Sequence, residues 1–169
     1  MNQIAEAAGV TKPVLYQHFS SKRELFSELL DDVGSQLSGD ILKATADAGS
    51  PRSQVEGGFL AYFRFVAERR DAFQVLFGAG SRHDPEFART VRGFEAGMAE
   101  IIAELIVIEG LDHAQRSLLA HGIVGIAEVT SRHWLANHPP GQALEPSADT
   151  LARQVSALAW AGLRGVEAA

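Results

Sequence analysis

The chain has 169 residues, 46% of them hydrophobic and 21% charged, with a formal net charge of −6 and no cysteine. That length buries one good core but not two large domains with a linker, and the composition excludes a disordered chain. The lack of cysteine excludes disulfide scaffolds, thiolate zinc sites and cysteine nucleophiles together. Helix formers dominate, and no stretch alternates apolar and polar with the period of two that a half-buried strand needs, so the fold class is all-α. Breakers divide the chain into segments. A short helix is expected from Asn2 to Ala8, stopped by Gly9, and a second from Lys12 to Phe19. A long one runs from Ser21 to about Ala48. After Gly49-Ser50-Pro51 come helices from Arg52 to Arg69 and from Asp71 to Phe77, then a loop at Gly78-Ala79-Gly80-Ser81. Pro85 in a first turn and Gly110 past an end bracket a helix to Glu109. Asp112 caps one that reaches about Asn137, where His138-Pro139-Pro140-Gly141 breaks it. Ser147 caps the last, which runs to about Val166.

No apolar run approaches the roughly 20 residues that span a bilayer, and the N-terminus lacks the marks of a signal peptide. A cytoplasmic location without a membrane partner is expected. The charge is uneven. Residues 1–24 carry Lys12, Lys22 and Arg23 against Glu6 and Glu24, a net of +1, which leaves −7 on the remainder. A locally basic head on an acidic body suits a protein that sets one end on phosphate.

The segment from Ile4 to Phe19 reads as a helix-turn-helix on steric grounds. Ala5 and Ala8 are small enough for a steep helix crossing, and Gly9 tolerates positive φ at the bend. Val10 is expected to point inward, Thr11 to cap the second helix, and Pro13 to sit in its first turn. Leu15 and Phe19, four apart, face the core. Lys12, Pro13, Tyr16 and Gln17 then share the opposite face, which offers a cation, a rigid apolar contact, an aromatic ring and an amide to a major groove. Thr11, Tyr16, His18 and Lys22 can donate to backbone phosphates.

The pattern I-A-x-x-A-G-V-T-x-x-x-L-Y-x-H-F-x-S-K-x-x-L resembles the signature of the TetR family of transcriptional regulators. The resemblance implies a TetR-like all-α architecture, with a small helix-turn-helix head at residues 1–24 and a larger helical ligand-binding and dimerisation bundle at 25–169. It implies phosphate contacts at Thr11, Tyr16, His18 and Lys22, and base-facing positions at Lys12, Pro13, Val14 and Gln17. The implied partners are double-stranded palindromic operator DNA, a small-molecule effector and a second copy of the chain. The implied activity is a ligand-responsive regulator, a repressor released from its operator by a small apolar or amphipathic molecule. In the family a further helix precedes this hairpin, whereas here Met1 leads straight into the family's second helix. The expectation is therefore a front that lacks that helix and binds DNA weakly; the alternative reading is a ligand-binding, dimerising helical protein without effective DNA binding.

Leu25, Phe26, Leu29, Leu30, Val33 and Leu37 form a helical apolar stripe that ties head to body. In the resembled family, ligand binding moves this connecting helix and respaces the two heads of a dimer. Aromatic residues crowd the next segments. Phe59, Tyr62, Phe63, Val66 and Phe77, with Phe94 and Met98 on the following helix, suit a ligand cavity, and ordinary core is the other reading. Tyr62, Arg92, His121, Glu128 and Trp134 are its candidate polar or semipolar members. Gly122, Ile126 and Val129 on one late helix and Leu158, Ala161, Gly162 and Gly165 on the last make stripes of small and large residues. Such stripes suit a dimer face, as the resemblance implies, or internal packing. There is no H-E-x-x-H, G-x-S-x-G, P-loop or dinucleotide glycine pattern, so neither an enzyme, a metal site nor a cofactor is expected.

Overall fold

The computed structural model describes residues 1–78, 84–139 and 141–166. Among them are eight α-helices and no strand: α1 (Asn2–Ala7), α2 (Lys12–His18), α3 (Lys22–Ala46), α4 (Pro51–Glu68), α5 (Arg70–Phe77), α6 (Pro85–Leu105), α7 (His113–Ala136) and α8 (Ala148–Arg164). None of the described helices is long and apolar enough to cross a membrane. Capping explains most starts. The Ser21, Ser50 and Ser147 hydroxyls accept from the backbone N–H groups of Glu24, Ser53 and Thr150, and the Asp84 carboxylate from those of Glu86 and Phe87. Asp112 and Gln115 close a full capping box at α7, with bonds of 2.8 and 2.9 Å.

One helix ends early. The sequence pattern carries α6 to Glu109, but it stops at Leu105, and Ile106 is extended with φ −80° and ψ 107°. Ile106-Val107-Ile108 are all β-branched, which disfavours helix and suits extended backbone. Ile106 is then buried while Val107 stands 86% exposed. The expected loop at 78–81 lies, beyond Gly78, outside the described residues, as do His83 and Pro140.

The body wraps a core centred on Leu30, Phe63, Val66 and Leu76, each at most 1% exposed. A Cβ at Gly57 of α4 would lie 2.8 Å from the Ala44 carbonyl oxygen of α3, so that glycine permits the close crossing of the two helices. Helix α8 packs along α4, and the Arg64 guanidinium near the end of α4 makes two 2.7 Å bonds to Asp149 in the first turn of α8. The two helices therefore run antiparallel. Their pairing holds the Asp149 carboxyl below its ordinary range, through hydrogen bonding to Arg64 above all. Helices α6 and α7 approach through Ala99, Ala103 and Ala120, all fully buried. Trp134 of α7 donates its indole N–H to the Pro146 carbonyl at 3.0 Å, fixing the loop before α8.

Candidate functional site

The head is built on one small contact. Ala5 of α1 and Leu15 of α2 are its buried side chains, and Gly9 turns the chain between them at φ +67°, where no other residue type is comfortable. Val10, expected inward, is 39% exposed, because the two short helices meet at Ala5 and Leu15 and leave no further interior for it. Thr11 is the N-cap of α2, as expected, but its hydroxyl makes no capping bond. Lys12, Pro13, Val14, Tyr16, Gln17 and His18 are all exposed along α2, and the Lys12 ammonium lies 5.8 Å from the centre of the Tyr16 ring. Phe19 is half-buried. The following turn is fixed by Ser20, whose N–H and hydroxyl both donate to the Glu24 carboxylate and hold its pKa below the ordinary value.

From the head, α3 leads into the body and touches α6 at three levels. Arg23 pairs with Glu86, the Lys22 ammonium sits 5.9 Å from the centre of the Phe87 ring, and Phe26 stacks on Phe87 at 4.2 Å. Further along, Gly34 is buried under Phe94. A Cβ there would lie 2.6 Å from the ring, so the glycine leaves the space that the aromatic fills.

Phe94 also lines a cavity of about 400 Å³, within the size range of small-molecule sites. Leu37 and Ile41 of α3 form one wall. Phe59 and Tyr62 of α4 with Phe73 and Phe77 of α5 form another, and Met98 and Ile102 of α6 face Ile123 and Ala127 of α7. Its few polar members are Gln54, Tyr62, Glu95, Glu128 and Arg164. The Tyr62 phenol is pushed well above its ordinary pKa of 10.0, by burial first and then by the Glu128 and Glu95 charges, against the favourable Ser131 hydroxyl beside it. Tyr62 is half-buried and lines the cavity. Glu128 is 9% exposed and has Arg132 at 3.4 Å one turn along α7.

Of the expected pocket residues, Phe59, Tyr62, Phe77, Phe94 and Met98 line this space. Phe63 and Val66 do not: they share the face of α4 that carries Phe59 and Tyr62, but each lies one turn further along, in the solid core at 0% exposure. Trp134 packs edge-on against Phe63 at 6.1 Å, again in the core. His121 is exposed with its Nδ1 at 2.8 Å from the Ser117 carbonyl, and Arg92 is also exposed. Glu95, Trp160 and the α3 residues escaped the sequence reading. An aromatic cluster was the only signal used, and a wall shared by six helices has no local pattern.

The two stripes on α7 and α8 face outward. Val129 and Leu158 are 55% and 65% exposed, Gly122, Ala161, Gly162 and Gly165 are exposed, and Ile126 is half-buried. The two helices touch each other only lightly within the chain.

Comparison with known families adds two matches in sequence order. Residues 1–29 match the bacterial regulatory proteins of the tetR family, and residues 51–162 match the tetracyclin repressor-like C-terminal domain. The chain belongs to the TetR family. TetR-family regulators bind operator DNA, typically as dimers, and they are not enzymes. The HTH-type transcriptional activator FasR of Mycolicibacterium smegmatis is 29% identical over 167 residues, which is 98% of this chain and 74% of FasR. A TetR-like transcriptional regulator from Rhodococcus sp. RHA1 superposes with a TM-score of 0.72 at 27% identity, over 96% of this chain and 83% of that one. The fatty acid degradation regulator FadR from Bacillus halodurans shares the fold, with a TM-score of 0.78 at 18% identity over 98% of this chain and 88% of that one. The TetR match at residues 1–29 covers α1, α2 and the start of α3, the elements that present the exposed face from Lys12 to His18.

Proposed function

We propose that this TetR-family chain is a homodimeric operator-binding regulator whose grip on DNA is set by a small apolar or amphipathic molecule held in the body. In this reading Lys12, Pro13, Val14 and Gln17 meet base edges, while Thr11, Tyr16, His18 and Lys22 hold phosphates on either side of the groove. Val129 and Leu158, with the small residues around them, pack against their copies across a twofold axis. Two heads then face two half-sites of a palindrome.

The observation that carries the reading is the shared wall. Leu37 and Ile41 of the connecting helix line the cavity directly, and Phe94 touches both the cavity and Gly34 of the same helix. A guest that displaces Phe94 or wedges against Ile41 therefore acts on the helix that carries the head. A guest can shift the equilibrium only by its differential affinity for two arrangements, and a wall formed by the moving element supplies that difference. Release from the operator on binding gives repression where the operator overlaps a promoter. FasR is named an activator, and the sign follows from where the operator lies rather than from this geometry.

The test is a mobility-shift titration on the palindromic DNA upstream of the gene, at stated salt, with and without medium-chain amphiphiles. Specific binding tighter than non-specific binding by about 10³-fold or more, weakened by an amphiphile, is the expected result. Equal affinity for operator and random DNA would overturn the DNA-reading assignment.

A further inference from the structure

The polar members of the cavity are not scattered. Tyr62, Glu95 and Glu128 belong to its inner end, where both carboxylates act on the Tyr62 phenol. Gln54 stands in the first turn of α4, and Arg164 is the last residue of α8. The Arg64 to Asp149 pairing makes α4 and α8 antiparallel, so the beginning of α4 and the end of α8 come together at the opposite end. Arg164 is exposed there, and Val107, which lines the same cavity, is 86% exposed. This is the mouth. From Gln54 to Tyr62 is eight residues of helix, about 12 Å at 1.5 Å per residue. Everything between is apolar, with Val55, Phe59, Met98 and Ile102 among the lining residues.

Resting on the reading of this cavity as the effector site, we propose that the effector is an amphiphile polar at both ends. It carries an anionic head at the mouth against Arg164, and a hydroxyl or keto group at the inner end hydrogen-bonded to Tyr62. The apolar stretch between Gln54 and Tyr62 spans about 12 Å, roughly ten chain carbons at about 1.25 Å of advance per bond in an extended alkyl chain, or the length of a small fused-ring skeleton. A simple alkyl tail fits the walls but ends badly. Its terminal methyl would lie against the Tyr62 phenol beside the Glu95 and Glu128 side chains, a polar end that hydrocarbon covers at a cost. Burial also keeps the Tyr62 phenol protonated, so it is a constant donor to a ligand oxygen. The mouth is the natural place for a charge because Arg164 remains in solvent and no ion need be buried.

Isothermal titration of the full chain with decanoate and with ω-hydroxydecanoate tests this. The wild type is expected to bind the hydroxy acid about tenfold more tightly than decanoate, the value of one hydrogen bond to a buried phenol. Tyr62→Phe is expected to erase that preference while leaving decanoate affinity within about twofold, and Arg164→Gln to weaken both acids by a similar factor. Equal wild-type affinity for the two acids overturns the proposal without any variant, and so does a preference that survives in Tyr62→Phe. A plug variant at the wall, Val55→Trp, separates this failure from that of the cavity reading. Two acids bound equally by the wild type and lost in Val55→Trp refute only the two-ended ligand. If the wild type binds neither acid, or Val55→Trp binds both like the wild type, the cavity is not their site and both readings fall.

Discussion

Gln17 and Lys22 carry the proposed base-facing and phosphate roles, and substituting them should produce different signatures. Gln17 is exposed on the outer face of α2, one residue after Tyr16, with an amide suited to an adenine edge. Gln17→Ala is expected to lower the preference for the operator over a one-base variant by about 1–3 kcal/mol, read by competition mobility shift. Lys22 is the first residue of α3, its ammonium 5.9 Å from the centre of the Phe87 ring, and its proposed partner is a flanking phosphate. Lys22→Ala should weaken binding to all sequences alike and reduce the salt slope by about one. Should Lys22→Ala alter base preference instead, its assignment to phosphate is wrong. In the body, Phe63 is 0% exposed, with Tyr62 at 5.3 Å and Trp134 at 6.1 Å edge-on. Phe63→Ala is expected to cost about 3–5 kcal/mol by chemical denaturation, since its neighbours are too large to fill the hole.

Among the elements, α6 is the one that joins everything, and Gly34 is where its effect can be tested. Phe87 meets α3 near the head, Phe94 fills the space left by Gly34, and Phe94 and Met98 line the cavity. Gly34→Ala forces the Phe94 ring away from a Cβ that would sit 2.6 Å from it, and the cavity is the open side. The expected result is a roughly tenfold loss of effector affinity and a stability loss of about 1–3 kcal/mol from overpacking, with operator affinity in the absence of effector kept within a few-fold. Unchanged effector affinity in a folded Gly34→Ala would remove Phe94 from the link between guest and head. None of this coupling was visible in the residue pattern. Gly34 reads there as a mild helix weakener inside a long apolar stripe. Its partner lies sixty residues further along the sequence, on a helix whose own period shows only that Phe94 faces inward. What was legible was local: serine and aspartate caps, proline first turns, the Gly9 bend and the outward face of α2. The sequence carries α6 to Glu109 on the strength of Gly110 as a stop, but three β-branched residues in a row, Ile106 to Ile108, favour the extended form and end it at Leu105. Val10 is apolar and is expected inward, but the head has no interior left beyond Ala5 and Leu15, so it stays 39% exposed.

At the scale of the whole molecule, the proposed twofold interface on the outer faces of α7 and α8 would bring two heads to DNA in place of one. A scattered exposed leucine needs no explanation, but Val129 and Leu158 stand among glycines and alanines on two adjacent late helices, a surface that permits close helix approach. A twofold interface is self-complementary, so one substitution enters it twice. Leu158→Glu brings two carboxylates towards the axis and should weaken association by about 100-fold or more, the range of a central interface residue. Light scattering after size exclusion would then report the 18.2 kDa monomer at micromolar concentration, where the wild type is expected to run at twice that mass. The folded monomer keeps its cavity, because Leu158 is 65% exposed and lies outside the lining. Effector affinity should therefore stay within a few-fold while operator affinity collapses, since a single head gains no effective concentration from its partner. A variant that becomes monomeric yet binds operator like the wild type would show that one head suffices, and the twofold reading of the operator would fail with it.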